Sequence, residues 1–469
     1  VARPRLAAAL SSEQQQSALT AVAAALAAVA SQDAGRLWIG CSGGLDSMVL
    51  LDAAARQWPA EQLRVLHINH QLSPQADHWQ ASVAARAAAL GCPFEAVKVV
   101  CQPSGEGLEA AARAARYAVF EQRLAAGESL LLGHHADDQL ETVLYRLLRG
   151  AGLRGLAAMA GQRPLAAGQL LRPLLGLPRQ QLEHYAAART LSWVDDESNA
   201  SSDFDRNFLR HAVVAPLRQR WPSWHKRLAR TTDYLREGDR LLCDLAELDL
   251  ASCEPHSEVA GQSLALVRWQ GLPARRQANL LRYWPVLAAA GEPLDGAELA
   301  ELQSSVIGAR ADAQPLLLGR GRHWRRFDGR LYLLAGKPPP LIDYTLTWSL
   351  AELPAELALP DGSRLIAERA TAGEADAGLL KPPLGALTVR PRRGGERSRP
   401  VGRKRSAPLK NIYQQQAVAP WLRERVPLLW AGSQLAAAAG LWVEASCAAQ
   451  PGQQGIAIRW LSAAEQHSQ

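Results

Sequence analysis

The stretch that most constrains this chain is residues 37–51. The apolar run Leu37-Trp38-Ile39-Gly40-Cys41 stops at Ser42-Gly43-Gly44, and the aliphatic run Leu45-Asp46-Ser47-Met48-Val49-Leu50-Leu51 follows. That order predicts a β-strand, a tight Gly-rich turn and the start of a helix. In such a turn, backbone N–H groups close on an anion at the positive end of the helix dipole. The hydroxyls of Ser42 and Ser47 add donors to the same concavity. Asp46 is the odd member, because a carboxylate beside bound phosphates repels them. It makes sense if it holds Mg²⁺ or is aligned by a neighbouring loop. A corner that uses Gly only for its conformational freedom is the plain alternative, but Ser-Gly-Gly-x-Asp-Ser is far more particular than a Gly-rich turn in general.

The segments that follow place this turn in a sheet. Strands are predicted over 63–70, 94–100 and 129–133, with helices opening after Ser73-Pro74 and running from Leu108 through Tyr117 and Phe120. Strand–helix alternation at this spacing predicts an α/β fold, a doubly wound parallel sheet with helices on both faces. Ligands of such sheets lie at the carboxyl ends of the strands. Three polar groups fall there: 42–47, 67–73 and 134–138. In the last, Gly133-His134-His135-Ala136-Asp137-Asp138-Gln139-Leu140-Glu141-Thr142, Asp138 and Glu141 stand at i and i+3 and share a helix face. Acids in a first helical turn also answer the dipole, which accounts for one or two of them but less easily for the whole cluster. Gly150-Ala151-Gly152-Leu153-Arg154-Gly155 matches the dinucleotide fingerprint letter for letter. It follows a helix instead of a strand, so it is read as a helix terminus and loop.

The N-terminus imitates a secretory signal with Arg3, Arg5 and an Ala-rich run. Polar residues 11–16 separate the charges from the apolar stretch, and Leu19, Val22, Leu26 and Val29 mark one helix face. Ser12 with Gln15 fits a capping box. A cytoplasmic amphipathic helix is expected, with no membrane span. Six cysteines in 469 residues, without a Cys-x-x-Cys, indicate reduced thiols and argue against a zinc ribbon or an iron–sulfur site.

At this length two or three domains are expected. Helical stretches with scattered Trp and Arg begin at Trp221, Pro338-Pro339-Pro340 reads as a linker, and Arg320, Arg322, Arg325 and Arg326 mark a strand or hairpin within reach of phosphates. The expected division is 1–220 for the parallel-sheet domain, 221–337 for a mainly helical domain, and 341–469 for a small α+β C-terminal domain. Between Arg390 and Lys410 stand nine basic residues and one acid, a net +8 against +7 for the whole chain. The basic character is therefore local. Flanking strands and turns argue for an ordered basic surface whose most economical ligand is nucleic acid.

Ser42-Gly43-Gly44-Leu45-Asp46-Ser47 resembles the pyrophosphate loop of the ATP-pyrophosphatase (PP-loop) superfamily. It does not resemble the Gly-x-x-x-x-Gly-Lys-Ser/Thr loop, and the chain holds no such motif. His67-Ile68-Asn69-His70-Gln71-Leu72-Ser73 resembles the superfamily's second signature, where the strand end approaches adenine and ribose. Further along stand Arg-Gly-x-Gly-x-x-Gly-Leu at 149–156, Arg-Pro-Leu-Leu at 172–175, Asp-x-Ser-Asn at 196–199 and Arg-Asn-x-x-Arg at 206–210. In this order they resemble one family, the tRNA(Ile)-lysidine synthetases. The 390–397 run Arg-x-Arg-x-Gly-Gly-Glu-Arg is similar to the C-terminal domain of its longer members.

The resemblance implies that ATP, with Mg²⁺, adenylates the carbonyl oxygen on carbon 2 of the wobble cytidine in tRNA(Ile) with anticodon CAU. Free L-lysine then displaces AMP through its ε-amine. Ser42, Gly43, Gly44, Leu45, Asp46, Ser47 and His67 are expected to bind ATP, with Asp46 as metal or alignment residue. Asp138 and Glu141 are expected to bind lysine or assist its deprotonation, and His134 to polarise the base or ribose. For tRNA the expected contacts are Arg113 and Arg116 on one helix face, Arg206, Asn207, Arg210, and Arg390, Arg392, Arg397, Lys404 and Lys410. No protein partner is implied. Gly107 departs from the Asn that the family often has before Leu-Glu, which leaves that residue's contact unassigned. The nearest alternative is a tRNA thiolase, which typically needs paired cysteines that this chain lacks. A noncatalytic RNA-binding protein would have no need of the intact loop, and a small-molecule ligase would have no use for the basic segment.

Overall fold

The computed structural model describes residues 10–30, 35–101, 108–194, 205–258, 261–310, 312–336, 341–371, 378–382 and 385–461. Gly107, the 196–199 pattern and the 338–340 linker lie outside them, as do the side chains of Arg206 and Asn207. The chain divides into two compact units, Val1–Arg240 and Leu241–Gln469.

In the first unit, α1 (Ser12–Ala30) precedes β1 (Leu37–Gly40) and α2 (Leu45–Gln57). Next come β2 (Leu63–Asn69), α3 (Ala76–Ala89), β3 (Phe94–Lys98), α4 (Leu108–Arg123), β4 (Ser129–Leu132) and α5 (Ala136–Leu148). The short α6 (Leu153–Leu156), the hairpin β5 (Gln162–Leu165) and β6 (Gly168–Leu171), and α7 (Arg179–Ala188) complete this part. The sheet order is β3-β2-β1-β4-β6-β5, with every pair parallel except the edge pair β5–β6. The chain winds outward from β1 through β2 to β3, then returns to the other side of β1 with β4. The carboxyl ends of β1 and β4 therefore form the topological switch point, where open α/β sheets bind ligands.

Period-two alternation sorts the two faces. Leu37, Ile39, Leu63, Val65 and Leu131 join one core with α1, α2, α3 and α7, while Trp38, Leu66, Ile68, Leu130 and Leu132 join the other with α4. Asp52, fully buried, locks the first face together: Arg56 of α2, Arg86 of α3 and Arg189 pair with it, and Tyr185 of α7 donates its hydroxyl at 2.8 Å. The N-terminal cap of α1 is one residue earlier than expected. Gln14 N–H donates to Ser11 Oγ (3.2 Å) and Ser11 N–H to Gln14 Oε1 (3.0 Å), so Ser11 with Gln14 forms the box, not Ser12 with Gln15.

The 150–155 glycines end α5 in a Schellman turn. Gly150 has φ +72°, Ala151 N–H donates to Arg146 O, and Gly150 N–H donates to Leu147 O. After α7 the described chain resumes in α8 (Asp205–Phe208), a π-turn at Leu209–Val214, α9 (Ala215–Arg220) and the long α10 (Trp224–Ser252).

The second unit adds to its helices a five-stranded antiparallel sheet, ordered His256–Glu258, Gly261–Ala265, Arg330–Ala335, Arg322–Phe327, Leu316–Gly319. The helix Ala274–Leu287 packs on it through Trp284, whose ring meets Trp324 edge-on. Three of the four arginines expected to reach phosphates from this hairpin are already engaged. Arg322 is buried and donates to Glu292 O, Arg326 donates to Ile307 O and Ala309 O, and Arg320 pairs with Asp295 and Glu298. The remaining 341–461 region holds a five-stranded and a three-stranded antiparallel sheet with the helix Leu409–Gln415.

Candidate active site

The 42–47 loop builds itself from short local bonds. Gly43 sits at φ +94°, where a side chain would be strained and its Cβ would stand 3.0 Å from Val194 Cγ2 and 3.2 Å from Val83 Cγ2. Val194 N–H donates to Gly43 O at 3.0 Å and ties the loop to the chain after α7. Ser47 Oγ accepts from Gly43 N–H (3.1 Å), donates to Gly44 O (2.9 Å) and lies 3.2 Å from Ser42 Oγ. Gly44 caps α2, so the two hydroxyls and the first free amides of the helix share one concavity. Cys41 beneath it is a core residue, and burial pushes its thiol up. At the end of β2, His67 is buried, and its Nδ1 donates to Cys41 O at 2.9 Å. Burial pulls its pKa down, and the carbonyl answers only in part.

The first turn of α5 faces this loop across the switch point. His135, Asp137, Asp138, Gln139 and Glu141 are all buried. His135 Nε2 lies 3.5 Å from Asp46 Oδ1 and 3.5 Å from Asp138 Oδ2, and its Nδ1 lies 3.7 Å from Asp137 Oδ2. Burial opposes charge on this ring. Asp138, Asp46 and Asp137 more than offset it, and the imidazole is pushed up to about 9. The acids divide by partner. Asp137 is structural, accepting Arg179 N–H at 2.7 Å and pairing with Arg218 at 2.7 Å. Glu141 takes a two-pronged grip from Arg210, Nε to Oε1 at 2.7 Å and Nη2 to Oε2 at 3.0 Å, while the same Nη2 stands 3.4 Å from Asp138 Oδ1. Asp46 also faces Arg179 Nη1 at 3.8 Å.

The expected site residues thus fall into groups. The 42–47 loop, His67, Asp138 and Glu141 come together at the carboxyl edge of the sheet. His134 lies beside them, half-buried, with Arg172 Nε donating to its Nδ1 at 3.3 Å. Arg210 belongs to this site through Glu141, not to an open surface. Arg113 and Arg116 stand on α4, and the Arg113 guanidinium lies 4.9 Å over the Tyr117 ring. Arg206 and Asn207 sit in α8, their side chains outside the described residues. In the second unit Arg390 stacks on Trp430 at 4.3 Å and, with Arg392, faces Glu396. Arg397 donates to Ser406 O at 3.0 Å, whereas Lys404 and Lys410 are exposed. Glu396 is the organiser here: it accepts the N–H groups of Arg393 and Gly394, and these bonds with the nearby Arg390 hold its carboxyl below the usual range against the pull of burial.

Sequence reasoning missed His135, Arg172 and Arg179 as site residues. The doublet His134-His135 was a signal, but only the approach of α5 to the β1 loop selects the second ring. Among the described residues no group of three or more His, Cys, Asp or Glu side chains is placed to enclose a metal ion, and no helix is long and apolar enough to cross a membrane.

Residues 14–217 match a PP-loop domain family, residues 264–332 the TilS substrate binding domain, and residues 387–460 the TilS substrate C-terminal domain. The tRNA(Ile)-lysidine synthase of Alkalilimnicola ehrlichii is 42% identical over 420 residues, which is 88% of this chain and 91% of that protein. That of Coxiella burnetii is 39% identical over 86% of this chain and 88% of the relative. A solved TilS C-terminal domain is 25% identical and aligns over 25% of this chain and 98% of its own, with a TM-score of 0.22. With an ATP-binding PP-loop domain at its switch point and likeness along most of its length, the chain belongs to the tRNA(Ile)-lysidine synthase family.

Proposed function

We propose that this enzyme joins free L-lysine to carbon 2 of the wobble cytidine of tRNA(Ile) with anticodon CAU, splitting ATP to AMP and pyrophosphate in the cytoplasm. The observation that carries the reading is the meeting of two unlike surfaces at one switch point. The 42–47 loop gathers two hydroxyls and the amides that open α2, suited to an anion, and the start of α5 gathers buried carboxylates beside it, suited to a cation. A triphosphate and an ammonium are their natural ligands.

In this reading the base carbonyl oxygen attacks the α-phosphorus, pyrophosphate leaves into the cradle formed by the 42–47 loop hydroxyls and the amides that open α2, and AMP stays on the base. The lysine ε-amine then attacks carbon 2, AMP departs with the oxygen, and the amine loses a proton. Preorganised donors answer the charge that develops on the leaving pyrophosphate without reorientation cost. His67, neutral and fixed by Cys41 O, lines the nucleoside side. His134, whose Nδ1 accepts from Arg172, carries its proton on Nε2 and so presents a donor to the base or ribose. Asp138 receives the ammonium and takes the proton that must leave before the free amine can attack; the second proton, released once the carbon–nitrogen bond has formed, passes to solvent. Glu141 acts through Arg210, whose guanidinium it holds in place to meet the amino-acid carboxylate.

Asp46 fits a magnesium ion. Its Oδ1 is buried with His135 Nε2, at 3.5 Å, as its neighbour, and Mg²⁺ is commonly held by one or two carboxylates together with phosphate oxygens. When bound, the ion supplies charge neutralisation of the departing pyrophosphate. The basic 390–410 surface, with Arg113, Arg116, Arg206 and Asn207, supplies phosphate contacts to the tRNA.

The test is incubation with ATP, labelled lysine and tRNA transcripts. Lysine incorporation into the CAU isoleucine tRNA and none into methionine tRNA is the expected result. ATP turnover without incorporation refutes the reading.

A further inference from the structure

Asp46 follows β1 and Asp138 follows β4, yet both carboxylates approach one buried ring. His135 is 1% exposed, and its Nε2 is 3.5 Å from an oxygen of each acid. A buried ring held equidistant from two acids on two elements is placed to act on both. The main chain of the same residue already holds one of them, since His135 N–H donates to Asp138 Oδ2 at 3.0 Å. The third acid in contact, Asp137, is accounted for by Arg218 and the Arg179 N–H.

We propose that His135 is a positioning residue that ties the ATP-side carboxylate, Asp46, to the amine-side carboxylate, Asp138, and so sets where the activated base and the attacking amine meet. The proposal rests on the reading above, in which Asp46 serves ATP and Asp138 serves lysine. Two carboxylates facing one small space repel each other and rotate apart unless a donor stands between them. Asp46 has somewhere else to go. Arg179 Nη1 stands 3.8 Å from its Oδ2, the other oxygen from the one that faces His135, and loss of the imidazole leaves Arg179 as the partner that draws Asp46 aside. A group aimed before the reaction stabilises the transition state without reorganisation, and a group that must swing back does not. One ring therefore controls the aim toward both substrates, although it touches neither.

The test compares four substitutions, Asp46→Asn, Asp138→Asn, His135→Asn and His135→Gln, by the KM for ATP, the KM for lysine and the kcat on the tRNA(Ile) transcript. The amide nitrogen of Gln reaches the place of Nε2, whereas that of Asn stops near Nδ1. Asp46→Asn is expected to raise the KM for ATP, and Asp138→Asn the KM for lysine. His135→Asn should raise both by about tenfold, the scale of one lost hydrogen bond to a charged group, while His135→Gln keeps both within about threefold. Equal effects of His135→Asn and His135→Gln, or a His135→Asn effect on one substrate alone, overturn the proposal. A merely structural ring would lower kcat in proportion to the folded fraction and leave both KM values at wild type, which also overturns it. If Asp138→Asn leaves the lysine KM unchanged, the assignment of Asp138 fails, visible without any His135 variant, and the proposal falls with it.

Discussion

Replacing Arg210 with Met isolates the strongest ion pair at the site. Arg210 meets Glu141 through two bonds of 2.7 Å and 3.0 Å, with the Glu141 side chain 1% and the Arg210 side chain 26% exposed. Breaking a buried pair by removing one partner costs about 3–5 kcal/mol, because the remaining charge has lost both its solvent and its counterion. The partial exposure of Arg210 lets some water reach the gap, so the expected loss for Arg210→Met is at the low end, about 3 kcal/mol. For a unit of this size that lowers the midpoint of thermal unfolding by about 6–12 °C. Adding Glu141→Gln removes the stranded charge, and the double variant should recover about half of the loss. Urea unfolding of the wild type, both single variants and the double variant closes the cycle. The reasoning is refuted if the two single losses simply add, since a real pair must show a coupling well above about 0.5 kcal/mol.

Gly43→Ala should destabilise the first unit by about 1–2 kcal/mol from the left-handed φ alone, and the 3.0 Å approach to Val194 Cγ2 should displace the loop. Calorimetry and a raised KM for ATP check both. The His135 imidazole, raised from 6.5 to about 9, favours the folded state in its protonated form. Its contribution, about 3 kcal/mol, is fully present below pH 6.5 and is lost as pH rises through 9. The stability difference between wild type and His135→Gln, measured by urea unfolding from pH 6 to pH 10, should shrink along that course. Lys404→Ala with Lys410→Ala should weaken tRNA binding and flatten its dependence on log salt by about 0.7–0.9 per residue. Filter binding across a salt series reads it, and an unchanged slope refutes a phosphate role for both.

The strand–turn–helix of 37–51 was legible in the chain because every determinant is local: an apolar run, two glycines, an aliphatic helix. The parallel sheet was equally legible, since alternating strands and helices admit few windings, and the acids at 138 and 141 were found by helical spacing. The helical content after Trp221 was visible too. Of the sheet that accompanies it only the strand or hairpin at 320–326 was, because the pairing of Gly261–Ala265 with Arg330–Ala335 spans a gap that no periodicity bridges.

Partnership was decided only by the tertiary structure. Glu141 and Arg210 are 69 residues apart, so nothing local links them, and Arg210 reads as one more basic residue until the fold brings α5 beside the 209–214 turn. His134 and His135 are neighbours of identical chemistry, and only the docking of α5 against the β1 loop turns one toward Arg172 and buries the other between Asp46 and Asp138. In the basic segment, sequence sees charge, but whether an arginine is spent depends on Glu396 folding back among Arg390, Arg392 and the 393–394 amides. Local pattern settles which elements form and which residue types reach the switch point. Electrostatic pairing acts through space over a few ångströms, so which of those residues hold each other, and which are left to hold a ligand, waits for the fold.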